Sequence, residues 1–451
     1  MKIVIVGVGS VGSAICSQLA GEGHDITLVD KDGDVLSAIT NKYDVFGVIG
    51  NGADMSVLKK ANAEKSDLLI AVSSNDEINI LCGIAAKKLG IKQTICRVRN
   101  PEYSELIQHL KSDMNISLTI NPEYAVAKEI YRSLRFPSAT KINTFCRGKV
   151  EMAQFTVGED SPICNVTLNE LRSKLDFRFL VCAVLRNGVA HIPNGFFSIK
   201  AGDEICVTAP EDDITKFFKT AGIYKTPVKD VLIVGGGRTT YYLEGLLQKA
   251  KIKSTVIERN KQLCRQLAEE FNCNVLCADG TDQEILLEEG LAKTDAFLAL
   301  SDVDEENAVI SMYAKSQGAS KVITKISSFS YVDLFKDVGL DSIVSPKSST
   351  ASYMTRLVRA MANVRGSEIE SLHRLLEEKV EALEFLIKEE IEDLTDHPLK
   401  EIKIRPGVLI ACIERRDKII IPSGDDCIQK GDTVIIVTTL AQIKGIKEIL
   451  K

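Results

Sequence analysis

The chain has 451 residues, of which 45% are hydrophobic, and its 62 acidic residues outnumber its 56 basic ones. This length suits several globular domains, and the composition is that of a protein with full hydrophobic cores. A modest negative charge offers no basic face to DNA or RNA, so we expect no nucleic-acid partner. No apolar run reaches the roughly 18 residues of a membrane helix, and the start of the chain leads straight into an apolar strand. We therefore expect a cytoplasmic protein.

Twelve cysteines are scattered singly through apolar segments, and none forms a Cys-x-x-Cys pair. We interpret them as reduced core residues. Cys273 and Cys277 are the nearest pair, but a strand would place them roughly 13 Å apart, too far for one metal ion to bridge them. The histidines show no ligand spacing either, so the sequence predicts no metal site.

The first predicted strand, residues 3–6, is followed by a glycine motif. A continuous β-branched run of this kind is typical of a strand buried on both faces of a parallel sheet. Glycines after it let the backbone turn tightly into a helix, whose free N–H groups and positive dipole end favour a pyrophosphate. The predicted phosphate-binding loop consists of Gly7, Val8, Gly9, Ser10, Val11 and Gly12.

An acidic residue, Asp30, ends the second predicted strand, residues 26–29. It lies about twenty residues beyond the glycines, where a carboxylate can accept hydrogen bonds from both ribose hydroxyls. Because an acid at this position repels a 2′-phosphate, the sequence favours NAD or an adenosine nucleotide over NADP.

Further strands and helices alternate along the first half. Strands are predicted at 45–49, 68–72, 94–98 and 116–120, and helices at 32–40, 54–58, 75–89 and after Pro101. Six strands alternating with helices predict a doubly wound parallel sheet, whose ligand crevice lies at the carboxyl ends of the strands. Four more residues at such ends are predicted to line the crevice: Asn51, Gly52, Ser73 and Arg97.

Some of these residues also have structural interpretations. Ser74 and Glu77 have the spacing of a capping box, and capping is our interpretation of Ser74, whereas Ser73 is placed to touch ribose or phosphate. Arg97 and Lys325 close fifth strands, where either an ion pair with a carboxylate or a contact to the nucleotide phosphate would explain them.

The whole pattern recurs in the second half at one constant offset, which indicates duplication. Asp30 is matched there by Glu258, and Thr240 replaces Gly12, the glycine that permits close packing of helix on strand. The sequence therefore leaves open whether the second loop binds pyrophosphate. The predicted second site comprises Gly235, Gly236, Gly237, Arg238, Thr239, Glu258, Asp279, Gly280 and Ser301.

Behind each predicted sheet domain the pattern changes to alternating strands with glycine turns. Residues 150–157, 179–185 and 204–208 are predicted strands around a helix at 168–175, and 379–438 repeat them. The acid-rich segment 368–396 is interpreted as a solvated face. The predicted fold is α/β, with two Rossmann-like doubly wound parallel-sheet domains (1–137 and 226–364), each followed by a small α+β module (138–225 and 365–451).

One pattern suggests an enzyme. Tyr124 and Lys128 have the Tyr-x-x-x-Lys spacing of short-chain dehydrogenases, but they follow the sixth strand instead of the fifth, so we interpret the match as chance. An NAD-dependent oxidoreductase remains the alternative hypothesis. A third is a sensor whose small modules bind a further ligand such as a cyclic dinucleotide.

Exposed apolar surface suggests an oligomer. The helix after Pro122 presents Ala125, Ile130 and Leu134, which have no cover within one sheet domain. We expect a second Rossmann-like unit to cover them, and a dimer or tetramer closed through matching surfaces.

Taken together, the tandem copies of Gly-x-Gly, acid, Gly-x-Asp and Asp-Glu-x-Asn, each followed by a small α+β module, resemble the TrkA family over the whole chain. The family comprises the peripheral nucleotide-binding subunits of Trk-type potassium uptake systems, built from RCK-N and RCK-C (TrkA-N and TrkA-C) domains. The resemblance implies a non-catalytic regulator at the cytoplasmic face of the membrane. It also implies binding of NAD(H), in some members of ATP or ADP, and a ring beneath a potassium-translocating subunit such as TrkH or TrkG.

Overall fold

The architecture is that of a computed structural model. It describes residues 1–103, 107, 116–146, 149–328, 331, 334–335, 338–340, 342–363, 369–376, 379–416, 418–440, 443 and 445–451. The helix expected after Pro101 lies largely outside the described residues.

The first sheet is parallel throughout and has the strand order β3-β2-β1-β4-β5-β6. Its strands are β1 (Lys2–Val6), β2 (Asp25–Asp30), β3 (Phe46–Ile49), β4 (Leu68–Ala71), β5 (Gln93–Arg97) and β6 (Leu118–Ile120). The helices are α1 (Ser10–Leu19), α2 (Gly33–Thr40), α3 (Met55–Lys60), α4 (Asp76–Lys88) and α5 (Pro122–Arg135), with 3-10 turns at Ala20–Glu22 and Ala63–Lys65. The central strands β1 and β4 are buried except at Lys2, as continuous apolar runs require.

The first small module is an antiparallel sheet in the order β10-β9-β11-β8-β7. It contains β7 (Lys141–Phe145), β8 (Val150–Thr156), β9 (Leu180–Arg186), β10 (Val189–His191), β11 (Glu204–Ala209), α6 (Leu168–Lys174) and α7 (Glu211–Thr220). The sequence did not predict β7 and β10, which are edge strands with too few buried residues to give an apolar pattern. It also missed α7, whose Phe217 and Phe218 enter the module core.

The second half repeats both sheets. Its parallel sheet has the order β14-β13-β12-β15-β16-β17, formed by β12 (Asp230–Val234), β13 (Lys253–Glu258), β14 (Asn274–Cys277), β15 (Ala296–Ala299), β16 (Val322–Lys325) and β17 (Ile343–Val344). The helices are α8 (Arg238–Ala250), α9 (Lys261–Glu270), α10 (Gln283–Glu288), α11 (Asp304–Ser316) and α12 (Pro346–Asn363). The predicted fold class, two doubly wound sheets with small modules between and after them, is confirmed.

The last module has the order β18-β19-β22-β20-β21, formed by β18 (Ile369–Leu375), β19 (Val380–Leu386), β20 (Val408–Arg415), β21 (Lys418–Ile420) and β22 (Thr433–Thr438) before a 3-10 turn at Ile446–Ile449. The interpretation of segment 368–396 as a solvated face is confirmed for Glu389, Glu390, Glu392, Asp393 and Asp396, which are exposed, and is wrong for β19. Leu383 and Phe385 are fully buried, and even Glu384 is only 8% exposed. Its carboxylate accepts hydrogen bonds from the Ser371 hydroxyl and the Cys146 backbone N–H, so burial of this acid is compensated.

By its internal contacts the chain divides into two compact units, Met1–Leu134 with Val228–Thr355, and Arg135–Pro227 with Arg356–Lys451. One unit thus contains the two parallel-sheet domains, and the other contains the two small modules. The three domain boundaries, after residues 137, 225 and 364, stay predictions, and residue 364 lies outside the described part.

In the unit with the parallel sheets, α5 from the first half packs on the second sheet. Val126, Ile130 and Leu134 are fully buried in one cluster with Val231 and Ile233 of β12. The expectation that a second Rossmann-like unit covers this helix is confirmed for Ile130 and Leu134. It is wrong for Ala125, which is exposed, because the buried stripe runs through Val126 and Ala127.

In the other unit, the two modules share a core. Phe145, Cys182 and Cys206 of the first module cluster with Ala382 and Ile435 of the second. All twelve cysteines are free thiols, and most are buried, as the sequence predicted.

Candidate functional site

The first glycine loop joins β1 to α1 at the carboxyl edge of the sheet. Gly7 has φ +90°, and a Cβ there would lie 2.5 Å from the backbone nitrogen of Ser73. A Cβ on Gly12 would lie 2.0 Å from the Gly7 carbonyl oxygen. Gly9 differs, because an added Cβ would meet nothing within 4 Å. Gly7 and Gly12 are therefore required by packing, while Gly9 leaves the start of α1 open to a ligand.

Asp30 closes β2 beside this loop. One carboxylate oxygen accepts a hydrogen bond from the Val8 N–H at 2.6 Å, and the other accepts one from the Asp32 N–H at 3.1 Å. These two bonds fix the carboxylate between the glycine loop and the start of α2. Its remaining lone pairs are available to ribose hydroxyls.

The turn after β3 forms another wall. Asn51 accepts a hydrogen bond from the Ala53 N–H at 3.2 Å, so its side chain stabilises its own turn. A Cβ on Gly52 would lie 2.2 Å from a side-chain carbon of Val6, which explains glycine at this buried position. Both predicted residues lie at the crevice edge, where they shape the backbone.

Ser73 and Arg97 are brought together by Asn79, which the sequence analysis did not assign to the site. The Asn79 side chain accepts from the Ser73 N–H at 2.8 Å and from the Ser73 hydroxyl at 2.7 Å. Its amide donates to the Arg97 carbonyl at 3.0 Å. Asn79 thereby ties the end of β4 to the end of β5. The signal was present, since Asp-x-x-Asn occurs at matching positions of both halves.

Arg97 lies 8% exposed at the end of β5. Its guanidinium donates to the Ser73 carbonyl, and its Nε is buried with no hydrogen-bond partner. Burial, and secondarily the charge of Arg99, lower the pKa of Arg97 to about 10, so it remains a cation at neutral pH. A buried cation with a free donor is suited to an anionic group entering the crevice.

The cap of α4 differs from expectation. Asn75 is the N-cap, and its side chain accepts from the Ile78 N–H at 2.7 Å, so the capping role predicted for Ser74 is wrong. Asp76, also missed, accepts from the N–H groups of Arg99 and Asn100 at 2.8 Å each. It holds the segment after β5 against α4.

Within the predicted loop, not every side chain faces the crevice. Val8 and Val11 are 0% and 5% exposed and belong to the hydrophobic core, whereas Ser10, at the start of α1, is exposed. The polar group of Val8 at the crevice is its backbone N–H, which already donates a hydrogen bond to the Asp30 carboxylate.

The second crevice repeats much of this geometry. Gly235 has φ +103°, and Glu258 accepts from the Gly236 N–H at 2.6 Å and from the Asn260 N–H at 2.7 Å. Asn307 accepts from the Ser301 N–H at 3.0 Å, as Asn79 does from Ser73. Gly235, Glu258 and Ser301 line a cavity of about 200 Å³, together with Gly237, Asp279 and Gly280.

Two substitutions change the second crevice. The Thr240 hydroxyl donates to the Gly235 carbonyl at 2.5 Å, so the side chain that replaces Gly12 is accommodated by a buried hydrogen bond. The Lys325 ammonium pairs with Asp302 at 2.8 Å, and this partner lowers the pKa of the Asp302 carboxyl. Lys325 therefore takes the ion-pair role, unlike Arg97.

The other predicted residues of the second crevice differ in their hydrogen bonds and in their exposure to solvent. Asp279 accepts from the Thr281 N–H at 2.9 Å and from the Thr281 hydroxyl at 2.8 Å, and these hydrogen bonds lower its pKa. Arg238 is exposed at the start of α8, and Thr239 is buried. Gly237 has open space where a Cβ would stand, as Gly9 does.

Two doubly wound sheets, each with a glycine loop, a helix start and an acid closing the second strand, define a protein of the Rossmann-like nucleotide-binding class. The TrkA-N domain model matches residues 3–118 and 231–346, and the TrkA-C domain model matches 152–222 and 384–451. The chain therefore belongs to the TrkA family of Trk-system potassium uptake proteins.

Relatives cover the full length of the chain. A Trk system potassium uptake protein TrkA homolog of Archaeoglobus fulgidus is 33% identical over 453 residues and covers 100% of both chains. The TrkA of Vibrio alginolyticus is 33% identical over 97% of this chain and 95% of its own.

Solved structures share the fold. The GsuK channel bound to NAD superposes with a TM-score of 0.64 at 16% identity, covering 97% of this chain and 76% of that one. The GsuK RCK domain gives the same score and identity and is covered to 92%. Among the described residues, no helix is long and apolar enough to span a bilayer.

Proposed function

We propose that the protein is a regulatory subunit that binds NAD(H), or ATP or ADP, and gates a potassium-translocating membrane partner. Membership of the TrkA family supports the potassium role, because the relatives that match over the full length carry the name of the Trk potassium uptake system. The proposed location is the cytoplasmic face of the membrane.

The observation that carries the nucleotide assignment is the geometry of the first crevice. Gly9 leaves the start of α1 open for a pyrophosphate, and Arg97 supplies a buried cation with an unused donor. Asp30 is fixed where the ribose hydroxyls would lie, and its charge disfavours a 2′-phosphate. The residues present therefore fit an unphosphorylated dinucleotide or an adenosine nucleotide.

We propose the second crevice as a weaker nucleotide site. Glu258 has the contacts of Asp30, which suits a ribose. Lys325, however, is already paired with Asp302, so less positive charge remains for phosphates than beside Arg97.

Gating follows if the nucleotide binds two states of the protein with different affinity, because only differential affinity can shift an equilibrium. The first crevice includes α1 and β5, and the unit that holds it also holds the second crevice. A nucleotide at these strand ends would bias how the sheets pack, and the membrane partner would sense that change.

The contacts of Tyr124 and Lys128 do not favour the oxidoreductase alternative. The Lys128 ammonium lies 4.4 Å from the centroid of the Tyr124 ring, in a cation–π contact, and that ring packs 5.4 Å from Tyr242. The two side chains thus pack around α5. The Lys128 ammonium contacts the face of the Tyr124 ring, which is not the arrangement expected of a lysine that assists proton transfer from the tyrosine hydroxyl.

The test combines binding with transport. Calorimetry with NADH, NAD, ADP and ATP should give saturable binding of at least one, with NADPH bound more weakly than NADH. Deletion of the gene should lower potassium uptake, and restoring it should recover uptake. No binding of any nucleotide, together with unchanged uptake, would refute the proposal; turnover of NADH with carbonyl substrates would favour the oxidoreductase.

A further inference from the structure

Two thiols meet beside the acid of the second crevice. Cys277 is the last residue of β14 and stands opposite Glu258 in the parallel pairing of β13 with β14. Cys264, on α9, places its sulfur 3.1 Å from the Glu258 carbonyl oxygen. The Cys277 sulfur lies 4.0 Å from the carbonyl oxygen of the next residue, Arg259. Both sulfurs thus converge on one turn, at the carbonyl oxygens of two successive residues.

Cys277 differs from the remaining eleven cysteines in access, because it alone is exposed. Cys264 is 8% exposed. The neighbouring thiols Cys82 and Cys96 of the first half, and Cys182 and Cys206 of the first module, are 0% exposed. An oxidant in solution can reach Cys277 without unfolding the protein.

The pair is also specific to the second half. At the matching positions of the first half stand Leu36 and Ile49, which flank Asp30 as the cysteines flank Glu258. The first half thus has two apolar residues where the second half has two thiols.

We propose that Cys264 and Cys277 form a thiol modification site, which a low-molecular-weight disulfide such as oxidised glutathione converts to an intramolecular disulfide. The arrangement of an exposed thiol in front of a resolving thiol is what such exchange requires.

The chemistry balances in two exchanges. The Cys277 thiolate attacks one sulfur of the small disulfide, forms a mixed disulfide and releases one small thiol. The Cys264 sulfur, after its proton passes to solvent, attacks the Cys277 sulfur and displaces the second small thiol. Two protein thiols are oxidised and one small disulfide is reduced. Burial raises the pKa of Cys264 to about 11, so the second exchange should accelerate with rising pH.

The disulfide would lie beneath the proposed second nucleotide site. It would covalently join α9 to the end of β14, the elements on either side of Glu258. As a consequence that rests on the proposed function, we expect nucleotide affinity at the second crevice to change on oxidation, while the thiol count tests the modification itself.

The experiment treats the full-length protein with oxidised glutathione at graded ratios to glutathione. After acid quenching and denaturation, thiol titration should show two of the twelve thiols lost. Peptide mapping without reductant should find the segments that carry Cys264 and Cys277 linked. Cys264→Ser should instead retain glutathione on Cys277, and Cys277→Ser should keep its remaining thiols reduced.

Cys273→Ser is the matched control, because Cys273 lies nearby but packs in the apolar cluster on the second sheet. This variant should oxidise as the unsubstituted protein does. Twelve reduced thiols at every glutathione ratio, or glutathione that stays on Cys277 while Cys264 is intact, would overturn the proposal. If the disulfide forms and nucleotide binding is undetectable throughout, the modification stands and the proposed function fails.

Discussion

At the residue scale, the acid that closes each second strand has the same two contacts. Asp30 and Glu258 each accept a hydrogen bond from a backbone N–H of the glycine loop, at 2.6 Å in both halves, and another from the start of the next helix. The carboxylate is thereby fixed before any ligand arrives. Such preorganisation lowers the entropy lost when a ribose binds.

We therefore expect Asp30→Ala to weaken NADH or adenosine-nucleotide binding by about 1.5–3 kcal/mol, the scale of a charge-assisted hydrogen bond. Calorimetry on the purified protein measures the change. Asp25→Ala is the control, since Asp25 is exposed at the opposite end of the same strand. Equal affinity of the two variants would remove Asp30 from the site.

Two glycines of the first loop have different roles: Gly12 is required by packing, and Gly9 leaves room for a ligand. Gly12→Ala would place a methyl group 2.0 Å from the Gly7 carbonyl oxygen, so we expect it to lower the free energy of unfolding. Overpacking of this kind typically costs about 1–3 kcal/mol. Gly9→Ala meets nothing within 4 Å and has an extended backbone that alanine accepts, so stability should stay unchanged.

In Gly9→Ala the methyl group would occupy the space left for pyrophosphate, and we expect NADH to bind roughly tenfold more weakly. Urea denaturation and calorimetry on both variants provide the comparison. Gly9→Ala with the affinity of the original protein would show that the ligand does not approach the main chain at this position.

At the element scale, α8 buries an acid against β13. Glu244 is 2% exposed, one carboxyl oxygen accepts from the Ser254 hydroxyl at 2.7 Å, and the other has no partner. Burial raises the pKa of Glu244 from its ordinary value of 4.5 to about 7. Between these values the folded protein holds a proton that the unfolded chain has released.

Stability contributed by this proton is therefore present at low pH and lost as the pH rises through about 7. We expect Glu244→Gln, which keeps the shape without titrating, to gain stability relative to the original protein between pH 5 and pH 8 by roughly 2–3 kcal/mol. Thermal unfolding of both proteins across this range measures the difference. Curves that stay parallel with pH would mean that Glu244 does not titrate in the folded protein.

At the scale of the whole molecule, each duplicated domain is packed against its counterpart from the other half of the chain. The sheet domains of the two halves form one compact unit, and the two small modules form another. Ile130 and Leu134 of α5, which would be exposed on an isolated sheet domain, are fully buried by the second sheet. One chain thus already contains a pseudo-symmetric pair of each domain.

Copies of such a pair can close into a ring through matching surfaces, and we expect a dimer or tetramer of the chain. Light scattering with and without nucleotide gives the mass, and pull-down with a potassium-translocating membrane subunit of the TrkH or TrkG type tests the partner. A strict monomer that retains no such subunit would contradict the assembly and leave the nucleotide sites to be judged separately.

The sequence by itself determined the parallel sheets, the glycine loops and the strand-end acids, because continuous apolar runs, glycines and their spacing act locally along the chain. Tertiary structure decided what distant residues do to one another. Only packing shows that Lys325 pairs with Asp302 while Arg97 keeps a free donor, since these partners come from different strand ends. Only packing buries Glu384 within the acid-rich segment and covers α5 with the other half. Such contacts join residues far apart in the chain, and no local pattern records them.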